Sequence, residues 1–159
     1  MRKIQKISED EKAFCTSCLE NPVTEHPIEW EVVGRLGRGA NNKAFCVEHQ
    51  GKQFALRVPL KNSDTQDRCN CLCELYHTLK AQNAGAAPNV YAAWFVRHSF
   101  DKYRSGLYIL SDVFDMNLQD VMYKHDSSIC TAASHAVRDC MVSLAEAGIF
   151  AFDLAPNNF

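Results

Sequence analysis

The chain has 159 residues, 47% hydrophobic and 23% charged, the composition of an ordinary soluble globular domain, and its length points to one domain rather than two. A net charge of -2 and a pI near 6.3 give no electrostatic reason to expect nucleic acid as the main partner. No apolar run approaches the ~20 residues that span a bilayer, and the charged start MRKIQKISEDEK lacks the apolar segment of a signal peptide, so a cytoplasmic protein with no membrane partner is expected.

Eight cysteines in so small a chain would suggest a disulfide framework in a secreted protein; without an export signal they are expected to stay reduced. Cys15 and Cys18 form a CxxC, and a small zinc-binding regulator could be built on it. Such a site needs two further ligands, however, and no second pair follows at finger-like spacing. Cys69, Cys71 and Cys73 alternate within a predicted helix, where residues two apart face different ways. They read as small, partly buried apolar residues rather than a ligand cluster.

Residues 1–29 are polar, contain Pro22 and Pro27 and show no sustained period, which predicts an extension that folds only in part. From Trp30 onward, alternating apolar residues flank Gly34, Gly37 and Gly39 and then a turn at Gln50-Gly51, predicting three antiparallel strands, the third over 53–58. Residues 62–67 read as a polar loop. Leu72, Leu75, Tyr76 and Leu79, spaced by three and four, predict an amphipathic helix over 68–81 that Asn83-Ala84-Gly85 ends. Two more strands are predicted at 90–98 and 107–113, separated by a polar turn through Asp101, Lys102, Arg104 and Gly106. A short helix follows at 118–123. A longer one at 130–148 carries Ala133, Ala136, Val137, Cys140, Met141 and Leu144 on one face, with Gly148 at its end.

The candidate chemistry starts at Leu36-Gly37-Arg38-Gly39-Ala40. Two glycines around one residue let a hairpin come close to a polyphosphate, because no side chain blocks the approach and backbone N–H groups can face the oxygens. By itself such a hairpin is often only a hairpin. Its strand-to-strand setting argues against a dinucleotide-binding crossover and against a Walker loop, whose Lys-Ser/Thr ending is also absent. Phe54-Ala55-Leu56-Arg57 lies 18 residues beyond Gly39, and Glu74 falls on the following predicted helix. Gly106-Leu107-Tyr108-Ile109-Leu110-Ser111-Asp112-Val113 comes next, and the long helix leads directly into Phe152-Asp153-Leu154-Ala155-Pro156-Asn157-Asn158.

In this order, across residues 30–159, the elements resemble the protein kinase superfamily of the serine/threonine type. The resemblance implies an α+β, kinase-like N-lobe of five antiparallel strands and one helix, with the hinge, over 30–113. The first helices of a C-lobe then occupy 114–159. It implies ATP as ligand, covered by Leu36, Gly37 and Gly39, with Ala55 and Arg57 on the third strand and Glu74 as the helix partner of Arg57. Ser111 takes the gatekeeper position, and Asp112 and Val113 supply the backbone groups that meet the adenine edge. Asp153 would orient the substrate hydroxyl and Asn158 would help hold Mg2+.

The chain departs from the family pattern at named places. Arg57 stands where the family has lysine, Ala151 and Phe152 replace a His-Arg pair, and Ala155 replaces a lysine near the transferred phosphate. The chain also reaches Phe159 before any Asp-Phe-Gly magnesium motif, so the front half of a kinase domain is expected. Two readings follow. One is ATP-dependent phosphoryl transfer to protein Ser/Thr hydroxyls, given a full C-lobe; the other is an inactive pseudokinase that binds and regulates a protein partner. The departures resemble divergent kinases of large DNA viruses, which would place the protein in a host cytoplasm.

Overall fold

The computed structural model describes residues 4–20, 30–39, 42–60, 65–96, 106–114, 121–123 and 127–149. Five strands, β1 (Glu31–Arg38), β2 (Asn42–His49), β3 (Lys52–Pro59), β4 (Val90–Val96) and β5 (Gly106–Asp112), form one sheet in the order β1-β2-β3-β5-β4. Every neighbouring pair is antiparallel. Three helices accompany it: α1 (Glu9–Glu20), α2 (Thr65–Asn83) and α3 (Ser127–Glu146). The protein is therefore α+β, with the five strands close to their expected places. Among the described residues, no helix is long and apolar enough to cross a membrane.

The chain divides into two compact units, one from the residues described in Lys3–Leu75 and Asn89–Val113, the other from those in Tyr76–Pro88 and Phe114–Phe159. The first holds the sheet. β1 and most of β3 alternate buried and more exposed residues, whereas β5 is buried on both faces from Gly106 to Leu110. Val32, Phe45, Val47, Phe54, Leu56, Val58, Tyr108 and Leu110 make the core cluster, with Ile7, Trp30, Ala92 and Trp94 packed against it. Between β2 and β3 the two-residue turn has Gln50 and Gly51 at φ of 50° and 76°, the doubly positive pair whose twist matches a hairpin.

β1 differs from the expectation that all three early glycines mark a turn. The strand continues through Gly34 and Gly37 to Arg38, with register shifts between Val32 and Gly34 and between Arg35 and Gly37. Glycine inside a strand permits such bulges. Only Gly39 sits at the turn, where its N–H donates to the Asn42 carbonyl at 2.8 Å.

Before Trp30, where the sequence predicts an extension that folds only in part, the structure has α1 and residues 4–8 leading into it. Ser8 caps the helix: its Oγ accepts the Glu11 N–H at 3.2 Å, and the Glu11 carboxylate accepts the Ser8 N–H in return. This is a reciprocal capping box, Ser-x-x-Glu. Ahead of it, Gln5 pairs with Arg35 of β1 through two backbone hydrogen bonds of 2.9 Å, one in each direction. Gly34 is required here, because a Cβ on it would stand 2.5 Å from Ile4 Cγ2 and 2.6 Å from the Gln5 carbonyl oxygen.

In the second unit, the glycines expected to end helices do so. Gly85 (φ 72°) follows α2 and Gly148 (φ 66°) follows α3. In each case the glycine N–H bonds a carbonyl three residues back and the next N–H bonds one five back, Ala86 to Ala81 and Ile149 to Leu144. These are Schellman caps. The face predicted on α3 is narrower than expected: Leu144 is buried and Ala133, Val137, Cys140 and Met141 are half-buried, while Ala136 is exposed. On α2 the apolar row is largely uncovered, with Leu72, Tyr76 and Leu79 exposed at 62%, 60% and 40%. Val121–Tyr123 is helical, and the rest of the short helix predicted at 118–123 lies outside the described residues.

Candidate functional site

The glycine hairpin is built from β1 and β2, and the two glycines predicted to meet phosphate differ from Gly34. A Cβ on Gly37 would meet nothing within 4 Å, and one on Gly39 would meet only the Asn42 carbonyl oxygen, at 3.8 Å. Neither has the positive φ that favours glycine. The internal packing of the chain thus requires Gly34 but not Gly37. What Gly37 leaves is open space beside a backbone. Leu36, between them, is buried.

Strand pairing carries that space across the sheet. Gly37 stands opposite Ala44, Ala44 opposite Arg57, and Arg57 opposite Ile109. In the neighbouring row, Cys46 stands opposite Ala55 and Ala55 opposite Ser111. Directly paired residues share a face, so Arg57 shares its face with Ala44, Cys46, Ala55, Ile109 and Ser111, of which Cys46 and Ile109 are buried. The other face carries Phe45, Leu56 and Leu110 in register. Bulk is greater on the core side; around Arg57 the half-buried Ala44, Ala55 and Ser111 are small, beside one long cation and the buried Ile109.

That cation is paired. Arg57 Nη1 lies 2.9 Å from Glu74 Oε1 on α2, with the two side chains 32% and 46% exposed. A pair this open to solvent adds less than about 1 kcal/mol to stability. Its contribution is geometric: it fixes where the guanidinium points, and one contact through Nη1 engages only part of the five-donor fork. The sequence placed these two residues together on motif order, and the structure forms the contact.

At the end of β5, Asp112 is held by a side-chain network that the sequence does not show. Its Oδ1 accepts the Tyr91 hydroxyl at 2.6 Å, its Oδ2 accepts Asn89 Nδ2 at 2.7 Å, and Lys52 Nζ donates to the same Tyr91 oxygen at 2.8 Å. Lys52 also sits over the rings of Tyr91 and Phe54, at 4.7 and 5.1 Å from their centroids. The Asp112 N–H donates to the Asn89 carbonyl at 3.0 Å and the Asp112 carbonyl accepts the Ser111 hydroxyl at 3.3 Å, so of the Asp112 backbone only the second lone pair of the carbonyl is left for a ligand edge. Val113 follows, half-buried and outside any strand.

The Tyr91 hydroxyl, with smaller help from Asn89 and Lys52, holds the Asp112 carboxyl below its ordinary pKa of 3.8. A depressed folded-state pKa stabilises the fold fully above the ordinary value and loses that contribution as pH falls through the folded one. Asp112 is largely solvent-screened, so the contribution stays below about 1 kcal/mol. Tyr91→Phe is accordingly expected to lessen the loss of stability on acidification below the ordinary carboxylate range, measured by urea unfolding across pH. An unchanged pH dependence contradicts the assignment. The Cys46 thiol is fully buried and burial pushes its pKa up, so it should resist alkylation until the sheet opens.

The sequence-predicted site residues Leu36, Gly37, Gly39, Ala55, Arg57, Glu74, Asp112 and Val113 thus all lie in the sheet unit. Asp153 and Asn158, the proposed catalytic and metal-holding residues, lie outside the described residues. Among the described residues there is no group of three or more His, Cys, Asp or Glu side chains that could hold a metal ion. Cys15 and Cys18 both fall on α1, with side chains outside the described residues, while Cys71 is half-buried and Cys73 exposed on α2. The pairing of Gln5 and Glu11 with Arg35 of β1 and Lys43 of β2 does not show in the sequence pattern; the Ser8-x-x-Glu11 spacing is the one signal in the sequence that points to it. No model of a known protein family matches the chain, and no curated protein matches it.

Proposed function

We propose that this chain is a protein kinase-like domain that holds ATP against the small-residue face of the sheet, for phosphoryl transfer to serine or threonine hydroxyls of a protein. The observation that carries the reading is the Arg57–Glu74 contact at 2.9 Å. It joins a third-strand cation to a helix carboxylate, the pair that places phosphates in the resembled family. Open space at Gly37 and the small, half-buried side chains of Ala44, Ala55 and Ser111 suit a flat, polyanionic ligand. Backbone N–H groups of the hairpin and the Arg57 guanidinium are the donors such a ligand needs. The Asp112 carbonyl and the backbone of Val113 offer edge contacts to a base.

Asp153 is assigned to orienting the substrate hydroxyl and Asn158 to holding magnesium, both on the resemblance alone. Bound magnesium would neutralise phosphate charge. The test is calorimetric titration of the chain with ATP, with and without magnesium, followed by phosphate transfer to a mixed serine/threonine protein substrate with Asp153→Asn as control. Magnesium-dependent binding and transfer that Asp153→Asn abolishes are expected. Absence of both refutes the proposal.

Two observations favour a second reading, a pseudokinase that regulates a protein partner. Arg57 keeps the charge of the usual lysine but not its compact ammonium, and Leu72, Tyr76 and Leu79 expose an apolar row along α2. Nucleotide binding without any Asp153-dependent transfer would select it.

A further inference from the structure

Among the described residues before Trp30, Ile7 packs against the core, while Gln5 and Glu11 make polar contacts with the glycine hairpin. Gln5 extends the edge of β1 through its backbone pair with Arg35 and also accepts the Arg35 guanidinium, Nε at 3.0 Å and Nη2 at 2.7 Å. Glu11, on the first turn of α1, lies 2.8 Å from Lys43 Nζ and 3.7 Å from Arg35 Nη1. Lys43 is the second residue of β2, opposite Arg38. Lys43 shares its face with Phe45 and Val47, two and four residues along the strand, so this contact is on the core side, away from Arg57.

One carboxylate therefore joins both strands of the hairpin, β1 through Arg35 and β2 through Lys43. Its own position is set by the capping box with Ser8. The Lys43 ammonium foremost, and Arg35 with it, holds the Glu11 carboxyl below its ordinary pKa, in keeping with a charged contact at neutral pH. Gly34 admits Ile4 and Gln5 against β1, so one glycine of the hairpin serves this contact.

We propose that Glu11 is a positioning residue for the glycine hairpin, bracing β1 against β2 from the face opposite Arg57. Its consequence for ATP rests on the function proposed above; its effect on the hairpin does not. A hairpin left unbraced spends more time away from the phosphates, so its order becomes part of the affinity.

The experiment uses the full chain and compares wild type, Glu11→Gln, Glu11→Asp and the charge-swapped double variant Glu11→Lys/Lys43→Glu, by amide hydrogen exchange and by ATP titration. Glu11→Gln should speed exchange in 35–46 roughly two- to fivefold, the range of a partly exposed ion pair. Exchange in 54–57 and 107–111 should be unchanged. Asp should restore wild-type rates in part, and the charge swap should restore them on the β2 side, over 42–46, but not at Arg35, which would then face a second cation. Where wild type binds ATP, Glu11→Gln should weaken it by a similar factor. Unchanged hairpin exchange, a rise spread evenly over the sheet, no rescue over 42–46 by the swap, or looser hairpin exchange with ATP affinity intact would each overturn the proposal. If wild type binds no ATP, the nucleotide reading falls, and the exchange and rescue results alone decide the role of Glu11.

Discussion

Arg57→Ala is expected to weaken binding of magnesium-ATP by about ten- to a hundredfold, the worth of one or two charge-assisted hydrogen bonds at roughly 1.5–3 kcal/mol. The same substitution should barely move the unfolding midpoint, because the Arg57–Glu74 pair is open to solvent on both sides. Arg57→Lys supplies the discriminating control. Lysine restores the cation and the residue usual at this place in the resembled family, while losing the planar fork. Affinity within about threefold of wild type is expected from it if point charge on the small-residue face is what matters. Glu74→Gln should fall between, since it leaves the cation and removes what aims it. Titration calorimetry and thermal unfolding on the same four proteins separate the two effects.

Gly34 and Gly37 should respond in opposite ways to the same change. Gly34→Ala places a methyl group about 2.5 Å from Ile4 Cγ2 and 2.6 Å from the Gln5 carbonyl oxygen, and the second of these is backbone. Overpacking of this kind costs about 1–3 kcal/mol, or it expels residues 4–5 from the edge of β1. The expected result is a lowered unfolding midpoint with faster exchange at Arg35. Gly37→Ala meets nothing within 4 Å, so stability should hold within about 0.5 kcal/mol. Its added methyl instead fills the space kept open for a ligand, and nucleotide affinity should fall severalfold. A Gly37→Ala protein as destabilised as Gly34→Ala would remove the distinction between a glycine kept for packing and one kept for approach.

How much of this was legible beforehand depends on the range of the interaction. The strands of the sheet show in alternation, a local property, and the two Schellman glycines show in the punctuation after each helix. Arg57 and Glu74 were paired correctly because motif order carries long-range information that periodicity does not. By contrast, α1 has little apolar period, and what attaches it to the sheet is a backbone pair and an ion pair between residues about 30 apart. Only the Ser8-x-x-Glu11 box marked it. The three early glycines looked alike in sequence, and their separate roles emerged from which atoms surround each Cβ position. The Asp112 network depends on the register that sets Asn89 and Tyr91 beside β5, which a single strand pattern cannot supply.

The most direct test of the central claim, that the small-residue face around Arg57 is a nucleotide site, is hydrogen exchange of the full chain with and without saturating magnesium-ATP. The account predicts protection confined to three stretches: the hairpin over 36–46, β3 at Ala55–Arg57, and the residues after Ser111. Protection elsewhere, or none at nucleotide concentrations that saturate binding, would contradict it.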